Sequence, residues 1–249
     1  MDPLTIAAAS GLRSRMDTLD LLANNLANAQ TSGFKTDQAF YGLYASPEAY
    51  SEMGGDFVPT LPVVQKQWTD FSQGTLTSTG NSLDVALAGP GFLAVNGPNG
   101  VVYTRNGNLK LATNGDLVTG EGYTVRNLGT NGKPIRVTSD KPIEISPDGS
   151  VSQDGQALGR LEIMDFKNTD SLKKMTAATF QNTDPQNVPV AAAATKVEQG
   201  KIEAANVAVP EAAVRLVNVM RQFEMLQKAV NLDAEMYRQG VQEVAKVTS

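Results

Sequence analysis

Cysteine and histidine are both absent from this chain of 249 residues, and tryptophan occurs once, at Trp68. Without cysteine there are no disulfides and no thiolate metal sites. Without histidine, the commonest metal ligand and the commonest general base are missing together. Nucleophile–base triads are therefore excluded, and any metal would need oxygen ligands alone. Clustered positive charge is lacking too. With 21 Lys and Arg against 26 Asp and Glu, the formal net charge is −5, which gives no electrostatic footprint for nucleic acid or for an anionic membrane surface. No apolar run approaches the roughly 20 residues a membrane span needs. The opening "MDPLTIAAASGLRSRMD" has an acid at position 2 and no unbroken apolar stretch, so it does not read as a cleavable secretory signal.

The remaining chemistry is sparse. "GPGFLAVNGPNG" is glycine-rich but lacks GxGxxG spacing and a following helical pattern, which argues against a phosphate cradle. Asp148 and Asp154 precede glycines and read as turn residues; Asp84 reads as a strand-end residue. The Asp-Gly pairs lack the alternating acids of a calcium loop. The expectation is a chain with no catalytic residues, no cofactor and no metal, with no nucleic-acid partner and no insertion into a membrane.

What is present is a 41% apolar content, enough for a core, arranged in three textures. The first is helical. Ala9, Leu12, Met16, Leu19, Ala23 and Leu26 alternate spacings of three and four, with Leu22 widening the stripe, as in a coiled-coil seam. Thr31, Ser32 and Gly33 end it: Gly33 suits a left-handed cap, and Phe34 beyond it can fold back on the last turn. The C-terminal stretch repeats the pattern through Val209, Ala213, Leu216, Met220, Phe223, Gln227, Val230, Ala234, Tyr237, Val241 and Val244, with only Gln227 polar. Pro210 and Glu211 suit a helix N-terminus. A first helix of this length and composition does not persist alone, so both seams need partners: each other, or copies of the chain.

The second texture, from about Gly74 to Phe166, is β-rich. Segments such as "LDVAL", "FLAV", "VVYTR" and "IEIS" are separated by Asn-Gly and Asp-Gly pairs, which accept the positive φ angles of tight hairpins. The third is connective: residues 36–73 mix aromatics with Gly and Pro, and 167–200 are polar and Ala-rich. The expected organisation is an N-terminal helix in 1–35, a linker in 36–73, an antiparallel all-β domain in 74–166 (a sandwich or open barrel of hairpins), a return linker in 167–200, and a C-terminal helix in 201–249. The fold is thus mixed α and β, with the terminal helices paired as a coiled coil.

Asn24, Asn25 and Asn28 fall between about 140° and 240° from the leucine seam at 100° per residue. Asparagine is a mediocre helix former and a weaker solubiliser than Glu or Lys. The reading is that this second face is covered by neighbouring copies, with neutral amides bonding where a charge would lose too much solvation. The candidate assembly residues are Leu12, Met16, Leu19, Leu26, Leu216, Met220, Phe223 and Val230 on the seams, the amides Asn24, Asn25 and Asn28, and the pair Gly33 and Phe34.

Several ordered blocks give the chain a resemblance. "ANNLANAQTSGFK" (23–35), "QGTLTSTGNSLDVALAGPGFLAV" (73–95), "YTRNGNLKLATNGDLVTGEGYTV" (103–125), "SPDGSVS" (146–152) and "QGKIEAANVAVPEAAVRLVNVMRQFEMLQKAV" (199–230) are similar to the flagellar basal-body rod and hook protein family. Length and the "RQFE" segment (221–224) look more like the proximal rod type than the distal rod type. The resemblance implies a structural, non-enzymatic subunit of a tubular rod, partnered by its own copies and other rod proteins. It also implies passage through the flagellar type III export apparatus to the periplasmic basal body without a cleaved signal, and a role in motility. The alternative from a different class is a secreted oligomeric binding module whose β domain takes a glycan or peptide.

Overall fold

The computed structural model describes residues 3–45, 60–138 and 141–247. Among these the chain is mixed α and β, with two helices, α1 at Pro3–Ala27 and α2 at Val209–Val247. It divides into two compact units: Met1–Leu26, Asp37–Trp68 and Ala208–Ser249 form the first, and Ala27–Thr36 with Thr69–Val207 the second.

In the first unit α2 is 39 residues long, about 58 Å at 1.5 Å per residue. Pro210 and Glu211 occupy its first turn, where a missing N–H costs nothing and a carboxylate meets the positive end of the helix dipole. The same unit holds a two-stranded sheet of Asp37–Ala45 and Thr60–Thr69. The stretch 36–73, expected as a linker, therefore carries strands; its middle, residues 46–59, lies outside the described residues.

The second unit is a β body in which every recorded strand pairing is antiparallel. Its largest sheet, nine-stranded among the described residues, is organised around Phe92–Gly97, which pairs with Gly100–Thr104, Thr124–Val125 and Ile163–Asp165. "FLAV" is a continuous apolar run because both faces of this strand are covered. Leu93 and Val95 join an aliphatic core with Val85, Leu109, Leu117, Ile135 and Leu161. Phe92 and Ala94 join an aromatic core with Tyr103, Phe166 and Phe180. The hairpin of Ser150–Gln153 and Gln156–Arg160 turns through Asp154 and Gly155, at φ 52° and 75°, the doubly positive turn that its sequence demands.

Residues 167–200 are corrected from a return linker to part of this body. Leu172–Lys174, Thr179–Asn182, Val190–Ala191 and Lys196–Gln199 are strands, and the last pairs with Val85–Ala88. Each is four residues or fewer, too short for alternation to register. Buried Leu172, Phe180 and Val197 seat them, and backbone pairing overrides their weak β propensity.

Candidate functional site

The helical unit presents two kinds of surface. On α1, Leu22 and Asn25 are buried, Leu12, Leu19 and Leu26 are half-buried, and Ala9, Met16 and Ala23 are exposed. A Cβ built on Gly11 would lie 3.8 Å from Leu226 Cδ1, so the two helices meet there. The covered face thus centres on Leu22 and Asn25, rotated away from the seam read through the leucines alone.

That rotation resolves the asparagines into three different environments. Asn25 is 3% exposed. Its Nδ2 donates to the Asp37 carbonyl at 2.8 Å, and its Oδ1 accepts from the Asp37 N–H at 3.0 Å. The amide stands in for a paired backbone group and holds the start of the Asp37–Ala45 strand against the helix, so its cover comes from its own chain. Asn28, in the second unit, accepts from the Thr31 hydroxyl at 3.3 Å and fixes the turn after α1. Asn24 is exposed.

On α2 the side turned inward carries Leu216, Val219, Phe223, Leu226 and Val230, of which Val219 is buried and the others half-buried. Leu216, Phe223 and Val230 are the residues the heptad pattern singled out. Val219 and Leu226 stand where it placed Met220 and Gln227, and this shift of one residue removes the polar position from the seam. Met220 is exposed, together with Val214, Val217, Met225, Leu232 and Met236. A long helix with large apolar side chains on its open side is unusual in a chain that works alone.

The second unit contains a buried ionic junction. Gly33, Phe34 and Lys35 enter its interior, the last two at 0% exposure. Lys35 Nζ donates to Glu203 Oε1 at 2.5 Å and to the Ser72 carbonyl at 2.7 Å. Glu203 Oε2 takes Arg105 Nη1 at 3.1 Å, and Oε1 also accepts the Gly74 N–H at 2.9 Å. Arg105 further donates to the Gly89 carbonyl at 2.8 Å and lies over the Phe92 ring. Lys174 caps Phe34, its ammonium 4.3 Å from the ring centre and hydrogen-bonded to the Lys35 carbonyl.

Gly33 is needed here twice over. Its φ is 70°, and a Cβ would fall 2.3 Å from the Asn106 nitrogen, so the backbone passes where no side chain fits. Its N–H donates to the Glu203 carbonyl at 2.8 Å. Asn206 completes the junction, taking the Thr36 N–H and hydroxyl on Oδ1 and giving Nδ2 to the Asp70 carbonyl. Three chain segments distant in sequence are tied by one carboxylate and one amide.

Burial lowers the Lys35 pKa from the ordinary lysine value, with Glu203 pulling the other way. Arg105 is displaced downward by the same cause, again opposed by Glu203. Two cations share one anion, which makes the carboxylate the member the cluster can least lose.

Sequence reasoning missed Lys35, Arg105, Glu203 and Asn206. The signal available was a lone charge inside otherwise uncharged blocks: Lys35 closing "ANNLANAQTSGFK" and Glu203 within "IEAANV". Among the described residues no group of acids is placed to hold a metal, and no helix is long and apolar enough to cross a membrane.

The β body and the long terminal helix each match a known family. Residues 86–153 match the flagellar hook protein FlgE/F/G D1 domain, and residues 198–243 match the flagellar basal body rod FlgEFG protein C-terminal region. This defines the class as hook- and rod-type flagellar proteins. Full-length relatives narrow it. The flagellar basal-body rod protein FlgF of Caulobacter vibrioides is 30% identical, covering 92% of each chain. FlgG of Buchnera aphidicola from Schizaphis graminum is 29% identical over 95% of this chain and 97% of its own. FlgG of Bacillus subtilis is 28% identical over 93% and 95%. The chain belongs to the flagellar basal-body rod protein family.

Proposed function

We propose that this chain is a structural subunit of the flagellar rod that polymerises through its terminal helices and serves motility as part of the drive shaft. In this reading α1 and α2 pair as a coiled coil lining the tube, and the β body, closed as a sandwich or open barrel, lies outside. The partners are copies of the chain, other rod proteins and the type III export apparatus. Export through that apparatus delivers the chain to the periplasm. The proximal rod position rests on chain length and the 221–224 segment. The function is mechanical and not enzymatic.

One observation carries this reading: Val214, Met225, Leu232 and Met236 on α2 are 59% to 71% exposed in the single chain, an apolar surface that becomes dry only against neighbours. The deciding experiment is deletion of the gene with imaging of purified basal bodies. Loss of the rod and of swimming, both restored by the intact gene, is the expected result. An intact rod without the chain overturns the proposal, and a rod shortened at its distal end alone overturns the proximal position.

A further inference from the structure

The open faces of the two helices carry complementary patterns, and the geometry points to a specific antiparallel contact between α1 of one copy and α2 of the next. This rests on the rod-subunit reading and adds the register. On α1, Met16 and Ala23 are exposed and heptad-spaced, and Arg13 and Asp20, also exposed, interleave with them. On α2, Met225 and Leu232 are exposed and heptad-spaced, interleaved with exposed Lys228 and Glu235. Among the described residues none of the four charged side chains makes an ion pair within its own chain.

Antiparallel helices pack so that the two kinds of seam position face each other alternately. With Asp20 set opposite Lys228, the layers that follow are Ala23 with Met225, Met16 with Leu232, and Arg13 with Glu235. Both ionic layers then join opposite charges, and both apolar layers close a long side chain over a partner. A parallel arrangement of the same two stripes sets Arg13 against Met225, Met16 against Lys228, Asp20 against Leu232 and Ala23 against Glu235, so that every layer joins a charge to an apolar side chain. The order of charges therefore selects direction, the role for which charged seam positions are best attested. The face is separate from the one on which Gly11 approaches Leu226, so a single helix engages its own chain and a second copy together.

The native absence of cysteine makes the test direct. A chain carrying Met16→Cys and Leu232→Cys, or Ala23→Cys and Met225→Cys, should give a ladder of disulfide-linked multimers from oxidised basal bodies, while each single change gives monomer. A motile strain with normal rods and no ladder, or a disulfide closed within one chain, overturns the contact and leaves the rod reading standing. Wild-type basal bodies that lack the chain overturn both. Where a cysteine pair blocks assembly, the charges decide: Lys228→Glu should reduce swimming at least tenfold, and adding Asp20→Lys should restore most of it. A double variant as defective as the single, or a fully motile Lys228→Glu strain, overturns the register.

Discussion

The Lys35 ammonium and the Glu203 carboxylate stand 168 positions apart in sequence, yet meet at 2.5 Å with both side chains at 0% exposure. Arg105 shares the same carboxylate, so the junction holds two cations and one anion. Removing the anion leaves both cations buried without a counter-charge, whereas removing Lys35 leaves a balanced Arg105–Glu203 pair. Glu203→Gln is therefore expected to destabilise the β unit by about 3–5 kcal/mol, and Lys35→Met by clearly less. Urea denaturation of the two variants checks the order. Equal losses, or a larger loss for Lys35→Met, would show that packing of the lysine stem and not charge balance governs the site.

The same lysine sets a pH dependence. Its folded-state pKa is lowered from 10.5, chiefly by burial. Below the folded value the proton is bound in both states and Lys35 contributes no slope. Between that value and 10.5 the unfolded chain binds more protons than the folded one, so stability attributable to Lys35 rises with pH. Wild type minus Lys35→Met, measured by denaturation across the alkaline range, should show a positive slope that ends near the ordinary lysine value. A flat or negative difference would contradict the direction.

Gly33→Ala tests the backbone crossing. The substitution puts a left-handed φ on a residue with a Cβ, and sets that Cβ 2.3 Å from the Asn106 nitrogen, against backbone that cannot rotate aside. Strain of this kind costs on the order of 1–3 kcal/mol from φ alone, and the overlap adds to it. The expected readout is a lowered unfolding midpoint, with faster hydrogen exchange at Asn106 and Arg105. An unchanged midpoint would mean that the crossing relaxes freely.

Chemistry held within adjacent residues is legible in the chain, and pairing between distant segments is not. The Asp154-Gly155 turn could be read directly because two adjacent residues contain all of its chemistry. Pro210 and Glu211 announce the start of α2 for the same local reason. The strands of 167–200 gave no pattern, since pairing with distant segments such as Val85–Ala88 holds them. The junction was silent because Lys35, Arg105 and Glu203 lie in three separated blocks, and a lone charge in each carries no periodicity. On α2, apolar residues occur on nearly every side, so Met220 and Val219 are equally good seam residues by pattern. Exposure of 47% against 9% separates them in the folded chain.

Asn25 provides a prediction about the helical unit. Its amide satisfies both the N–H and the carbonyl of Asp37. Asn25→Ala removes both partners at once, at about 1–3 kcal/mol for each group left unpaired away from water. Asn25→Asp keeps the acceptor only by burying a carboxyl group whose second oxygen faces the Asp37 carbonyl, so its cost in stability should be at least that of Asn25→Ala. Hydrogen exchange at the Asp37 amide separates the two: it should accelerate in Asn25→Ala and stay slow in Asn25→Asp. Equal protection in all three proteins would mean that Asn25 does not hold the strand.

Leu26 ends the first segment of the helical unit and is half-buried there, while the β unit draws on Ala27–Thr36 and Thr69–Val207. A carboxylate at position 26 must lose much of its solvation with no cation assigned to it. Leu26→Asp should therefore disrupt the helical unit while leaving the β unit intact, because that unit's aliphatic and aromatic cores are made of its own residues. Calorimetry should show the β transition within a few degrees of wild type, and cells carrying the variant should fail to swim. Exposed Ala23→Asp, by contrast, spares the fold of the single chain and bears only on contact between copies. Swimming with normal basal bodies in the Leu26→Asp strain would separate the order of α1 from rod assembly. Loss of the β transition would mean that the two units fold as one.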